Sequence, residues 1–349
     1  MQLKKRIAEY RRRATATAVR SGQSAGAPDV IGEHSRWHMP GIDTRDPSGP
    51  YASQRLRQPM FTPVVEPKFR ISSDDHLFAI GSCFAREIEK HLARRGFHVE
   101  SRATEFTQLQ IAEEHKKVDA WTFTDKYNTF SILNEVSWAL DPASRFPEDS
   151  LVDLDEHHCV DPHILQTLTV VDRAETLERR RLITDVTRRI RDCPVLVLTL
   201  GLVEVWYDTG SDTYLNTAPP RELRVRDPKR YQVNTTTYAQ NMENMERLYR
   251  LLTRYGHPEL RIVVTTSPVP LLATFTGQDV VVANTYSKAT LRAVAQDWAT
   301  SHENVEYFPS YEVVMNSERD IAWFNDLRHV RSEIVEHIID TFTAVFVLP

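Results

Sequence analysis

Apolar residues along this chain gather in short runs separated by longer amphipathic stretches. His76-Leu77-Phe78-Ala79-Ile80 is one such run, ended by Gly81, as expected of a strand buried on both faces. The period then changes. Phe84, Ile88 and Leu92 recur every four residues, Arg86, Glu87, Lys90 and Arg94 lie off that face, and Gly96 supplies a stop, which predicts a helix. Phe97-His98-Val99-Glu100 begins a second strand. The same rhythm returns in Val195–Leu200, Leu260–Thr265 and Val305–Phe308, with helices predicted near 174–191, 236–254, 281–301 and 331–346. Strands alternating with helices of this length predict an α/β fold with a mostly parallel sheet covered on both faces. The intervals 102–173 and 207–235 are long, polar and interrupted by proline, so they read as insertions rather than sheet strands. Insertions at strand ends are where specificity commonly resides.

Before this pattern begins, the texture differs. Residues 1–20 carry Lys4, Lys5, Arg6, Arg11, Arg12, Arg13 and Arg20 against Glu9, with Leu3, Ile7 and Tyr10 at helical spacing. This segment reads either as a solvated tail or as a weak contact with an anionic surface. Residues 21–70, rich in Ser, Gly and Pro, read as a linker that wraps the surface. The expected organisation is thus a basic segment and linker over 1–70 and one domain with insertions over 71–349. Across 349 residues the hydrophobic fraction is 41%, enough for a full core. No apolar run approaches the roughly 18 to 20 residues of a membrane span, and the first residues carry charges where an export signal has its apolar stretch. A formal net charge of -5 gives no global attraction to nucleic acid. Cys83, Cys159 and Cys193 form no Cys-x-x-Cys pair, which fits a reducing compartment, and the expected location is cytoplasmic. Glycine-rich phosphate loops are absent, so no cofactor is expected.

The chemistry concentrates at two places. Ser82 lies where an apolar strand gives way to an amphipathic helix, so its hydroxyl belongs at the carboxyl end of the sheet beside unpaired helix N–H groups. Two readings stay open on this segment alone: a nucleophile whose oxyanion the amides stabilise, or a helix cap. Near the other end, Trp323-Phe324-Asn325-Asp326-Leu327-Arg328-His329 precedes the last apolar-periodic helix. On a tight turn, a spacing of three lets Asp326 accept the Nδ1–H of His329 and leaves Nε2 as a general base toward Ser82. Taken alone, an Asp-x-x-His is common and reads first as a surface turn.

The segment Phe78-Ala79-Ile80-Gly81-Ser82-Cys83-Phe84-Ala85-Arg86-Glu87-Ile88 resembles the signature of the GSCFA family, whose name residues 81–85 spell. Thr199–Trp206, Ser267–Leu271, Ala283–Lys288 and Tyr307–Glu312 resemble further blocks of that family in the same order. The family is similar in turn to the SGNH, or GDSL, hydrolases. That resemblance implies a flavodoxin-like three-layer α/β/α sandwich and a triad of Ser82, Asp326 and His329. It also implies an acyl-serine intermediate and a substrate class of acylated, especially O-acetylated, carbohydrates. The activity expected is that of a serine esterase or O-acyltransferase. Two departures stand out. The Gly-Asp-Ser of the hydrolases is Gly81-Ser82 here, and the Gly-x-Asn-Asp block is Gly201-Leu202-Val203-Glu204, in which valine occupies the place of the oxyanion-binding asparagine. The expected donors are therefore the Ser82 amide, the Gly201 amide and the side chain of Asn128.

Other features carry weaker expectations. Cys83 adjoins Ser82 at a helix N-terminus, where a thiol is acidified, and is a rival nucleophile. His157, His158 and His163 with Asp153, Asp155 and Cys159 have metal-ligand chemistry without the His-x-x-x-His spacing, and no metal is expected. Glu204 and Trp206 follow the third main strand and are expected in the same crevice as Ser82, where an aromatic ring beside a carboxylate suits a sugar. The alternative function is a non-catalytic module that binds a glycan or a protein partner in that crevice.

Overall fold

The computed structural model describes residues 32–108, 124–164 and 170–348. The basic stretch 1–20 lies outside the described residues. The chain divides into two units, Asp74–Tyr307 and a second assembled from Met1–Ser73 and Phe308–Pro349.

The first unit is built on a five-stranded parallel sheet. Its strands are β1 (His76–Gly81), β2 (His98–Val99), β5 (Val195–Leu200), β9 (Arg261–Thr266) and β10 (Val305–Tyr307), ordered β10-β9-β5-β1-β2. This is the order of a doubly wound sheet whose first strand lies inside. Alternation along the strands sends Phe78, Ile80, Leu196, Leu198, Leu200, Ile262 and Val264 into one large core. On that face they meet α3 (Thr129–Leu140), α4 (Arg173–Arg188), α6 (Tyr238–Tyr255) and α7 (Val280–Ser301). On the opposite face, α2 (Cys83–Arg94) packs against β1 and β5 through the stripe of Phe84, Ile88 and Leu92. The domain is a three-layer α/β/α sandwich, as expected.

Among its described residues, segment 102–173 adds no strand to the five-stranded sheet, but it does supply α3, whose Ile132, Leu133, Val136, Ala139 and Leu140 are core residues. Those residues recur at helical spacing on one face, while Phe130 and Trp138 lie off it. The same segment holds a short antiparallel pair, β3 (Val152–Asp153) with β4 (Cys159–Val160). Beyond β5, β6 (Glu204–Asp208), β7 (Thr213–Tyr214) and β8 (Tyr231–Thr235) form a separate antiparallel sheet in the order β7-β6-β8, with α5 (Arg221–Arg226) in the connection between β7 and β8.

The second unit joins both ends of the described chain. It contains α1 (Ala52–Arg55), α8 (Ser310–Met315), α9 (Arg319–Ala322) and α10 (Ser332–Phe346). Ile71 bridges Val347 in parallel, Phe61 N–H donates to Ser317 Oγ at 2.9 Å, and Thr62 Oγ1 lies 3.1 Å from His337 Nε2. Segment 59–71 is thus bound to the C-terminal helices. Among the described residues, no helix is long and apolar enough to cross a membrane.

Candidate active site

At the carboxyl edge of the sheet, β1 ends on Gly81 with φ +142°, a backbone conformation that disfavours any side chain. A Cβ there would also meet Thr199 O at 2.3 Å, so β1 and β5 approach too closely for any other residue. Ser82 follows as the N-cap of α2. Its Oγ accepts the Phe84 N–H at 3.3 Å and lies 3.2 Å from Thr199 Oγ1, and only 2% of the residue is exposed. Its amide donates to Thr199 O at 3.3 Å. Thr199 was not anticipated, yet it is the one hydroxyl in the otherwise aliphatic strand Val195–Leu200, a signal visible in the sequence.

Loop 124–128 crosses this edge. Lys126 N–H donates to Gly81 O at 2.7 Å, and Leu202 N–H donates to Tyr127 O at 2.7 Å. Asn128 caps α3. Its Oδ1 accepts the Ser131 N–H at 2.8 Å, while Nδ2 donates to Leu215 O at 3.1 Å and Asn216 O at 3.3 Å. Both amide hydrogens are thus committed to carbonyls, and Asn128 is a structural cap rather than an oxyanion donor. Gly201 sits against the same loop, since a Cβ there would meet Tyr127 O at 2.5 Å.

Glu204 and Trp206 lie on one face of β6. Glu204 accepts the Thr274 hydroxyl at 2.5 Å and the Phe275 N–H at 3.0 Å, so its carboxylate latches the loop after β9. Trp206 meets Phe275 edge-on at 4.9 Å, and the Arg224 guanidinium lies 5.3 Å from its ring centroid. Of the histidines considered for metal, His158 pairs with Asp155 at 2.8 Å, whereas His163 is buried edge-on to Trp138 and Phe146.

Beneath the edge, two buried charge groups fix loop 124–128. Arg86 Nη1 lies 2.7 Å from Glu89 Oε2, and its Nη2 donates to Ala79 O at 3.0 Å. Asp125 Oδ1 is 3.3 Å from Arg86 Nε, and its Oδ2 accepts the Tyr127 hydroxyl at 3.1 Å. Because Glu89 already answers the guanidinium, burial dominates at Asp125 and pushes its carboxyl up to about 7, against the pull of Arg86 and Tyr127. The folded protein therefore keeps a proton that the unfolded chain releases above about pH 3.9. This contribution to stability is full below that pH and is lost as pH rises toward 7. An Asp125→Asn protein is expected to gain on the unaltered protein between pH 4 and pH 7, by up to about 4 kcal/mol. Urea midpoints of both proteins at pH 5 and pH 8 check this, and an identical pH dependence in the two would refute it. His163, pushed down to about 4 by burial, opposes the trend below pH 6.5 in both proteins and cancels in the comparison.

In the other unit, Asp326 and His329 form a closed dyad. Trp323 bridges Val330, Phe324 N–H donates to His329 O at 2.9 Å, and Leu327 takes φ +52° at the tip of the turn. Asp326 Oδ1 accepts the N–H groups of Arg328 and His329, each at 3.0 Å, and Oδ2 lies 2.5 Å from His329 Nδ1. The His329 backbone and ring, together with the Arg328 N–H, hold the Asp326 carboxyl well below the usual carboxylate range. Arg328 Nη1 lies 3.0 Å from His329 Nε2. A guanidinium only donates, so Nε2 is the accepting nitrogen and Nδ1 carries the proton shared with Asp326. That is the tautomer a general base requires.

No curated protein matches this chain. The model of the GSCFA family matches residues 76–342, a span that opens at β1 and takes in Ser82, the Gly201 turn, Asp326 and His329; the chain belongs to the GSCFA family.

Proposed function

We propose that this GSCFA protein is a serine esterase or O-acyltransferase, acting through an acyl-Ser82 intermediate on an O-acylated, most simply O-acetylated, carbohydrate. The observation that carries the reading is the Asp326–His329 dyad, whose Nδ1 is bound to a carboxylate at 2.5 Å while Nε2 accepts. In this mechanism Nε2 takes the Ser82 proton as Oγ attacks the ester carbonyl. The protonated imidazole then gives that proton to the departing alcohol. Water or an acceptor hydroxyl, deprotonated by the same nitrogen, releases the acyl group. Asp326 orients the ring and balances its charge. With Asn128 committed elsewhere and Val203 unable to donate, the Gly201 amide becomes the principal oxyanion donor. The carbohydrate assignment rests on the family's likeness to the SGNH hydrolases.

A second reading has its own observation. Ser82 Oγ is buried, accepts the helix N–H of Phe84 and adjoins Thr199, which is complete as a helix cap. On that reading the protein binds a glycan or protein partner without chemistry. A fluorophosphonate probe separates the two. The esterase reading expects labelling that disappears in both Ser82→Ala and His329→Ala, with p-nitrophenyl acetate turnover lost alongside. Absence of labelling in the unaltered protein, with glycan binding retained in both variants, would establish the second. Iodoacetamide labelling lost in Cys83→Ser, with turnover retained in Ser82→Ala, would move the nucleophile to the neighbouring thiol.

A further inference from the structure

Val203 stands where an oxyanion-binding asparagine is found in the related hydrolases, and the turn that contains it is held at every residue by another element. Lys288 Nζ, on α7, donates to Gly201 O at 2.8 Å. Leu202 N–H donates to Tyr127 O at 2.7 Å, and Val203 N–H donates to Ser287 Oγ at 3.1 Å. Ser287 and Lys288 are both buried. Placing an ammonium in a protein interior costs several kcal/mol of solvation. Here one hydrogen bond of that ammonium goes to a backbone carbonyl of the turn.

The direction of the Gly201 amide follows from its neighbours. Thr199 O faces β1, where it accepts the Ser82 N–H, and Leu200 O faces β9, where it accepts the Ser267 N–H at 2.8 Å. The described chain contains no cis peptide. In a trans peptide the N–H points opposite to the C=O. The Leu200–Gly201 peptide, with its oxygen toward β9, therefore directs the Gly201 N–H toward the β1 side, the side of Ser82. The next peptide is fixed at both ends, its oxygen by Lys288 and its N–H by Tyr127.

We infer that Ser287 and Lys288 are positioning residues that clamp the Gly201–Val203 turn so that the Gly201 N–H faces the Ser82 oxyanion, replacing in rigidity what Val203 lacks as a donor. The inference rests on the esterase reading. Loss of one oxyanion donor costs about 100- to 1,000-fold in kcat, and a displaced donor costs part of that. Lys288→Met is accordingly expected to lower kcat about 10- to 100-fold, with KM within about threefold. Lys288→Arg, which keeps a cationic donor, is expected to recover part of the loss.

The test measures p-nitrophenyl acetate turnover per reactive site, with sites titrated by the fluorophosphonate probe and folding followed by circular dichroism. A merely structural Lys288 would reduce the number of reactive sites and the melting temperature, but not kcat per site. Unchanged kcat per site in folded Lys288→Met overturns the inference and leaves the esterase reading intact. If Lys288→Met does not fold, Ser287→Ala decides: a fall of about 3- to 10-fold in kcat per site supports the clamp, and no change overturns it. Absence of labelling in the unaltered protein removes the esterase reading and this inference with it.

Discussion

An Arg180→Met protein is expected to unfold about 3 to 5 kcal/mol more readily than the unaltered chain, because it strips the partner from a buried carboxylate. Arg180 Nη1 reaches both oxygens of Glu135, at 2.9 and 2.7 Å, while Nε and Nη2 donate to Asp161 Oδ2 at 3.0 and 2.8 Å. Its guanidinium also lies 4.7 Å from the Phe146 ring centroid. Lys126 Nζ, 2.8 Å from Glu135 Oε2, completes the group and donates to His163 O at 3.2 Å. Burial favours the neutral form of Glu135, yet Arg180 and Lys126 outweigh it and hold that carboxyl down at about 2. Methionine would leave Glu135 with Lys126 but would deprive the buried Asp161 of both guanidinium bonds. Lysine at the same position cannot reach two carboxylates with a planar fork, so Arg180→Lys is expected to recover little. Urea unfolding at neutral pH measures both, and a loss below about 1 kcal/mol in Arg180→Met would refute the account. Since Glu135 contributes stability only above its depressed pKa, its share is retained at neutral pH and lost as the medium is acidified toward pH 2.

A fall of about 10,000-fold in kcat is expected from Asp326→Asn if the dyad serves Ser82. An asparagine oxygen can keep the two backbone N–H groups that Oδ1 now accepts, so the turn survives. Its amide nitrogen then confronts His329 Nδ1. Donor against donor is unfavourable, and the imidazole answers by moving its proton to Nε2. That nitrogen can then no longer accept from serine. The melting temperature should hardly move, since both residues are exposed. Turnover within tenfold of the unaltered protein would exclude His329 as the base.

Most of the sandwich could be read from the chain because its signals are local. β5 falls on Val195–Leu200 as the apolar run demands, and α7 begins at Val280 where the apolar period predicts 281. The helix α3 was missed because it lies inside a long, polar, proline-interrupted interval, although Ile132, Leu133, Val136, Ala139 and Leu140 recur at helical spacing. The β6-β7-β8 sheet was missed because its strands, such as Tyr231-Gln232-Val233-Asn234-Thr235, are short and largely polar. At the site, Gly81 and Ser82 were legible because the strand-to-helix switch is a local event. Asn128 was misjudged for the opposite reason: its amide is consumed by Leu215 and Asn216, residues far along the chain that no spacing rule connects to it. Lys288 did leave a trace, as a cation beside the apolar stripe of Ala283, Leu291, Val294 and Trp298, although only the fold reveals the carbonyl it serves.

The division of the chain also bears on its synthesis. The unit that carries the sheet and Ser82 is contiguous, from Asp74 to Tyr307, and can fold as it leaves the ribosome. The unit that carries Asp326 and His329 cannot, because Thr62 must wait for His337 and Ile71 for Val347, partners more than 270 positions later. Segment 59–71 therefore waits for its partners until residues 337–347 have been made. A chain begun at residue 76, where the family match opens, would retain the sheet that carries Ser82 while depriving the unit of Asp326 and His329 of its N-terminal strap.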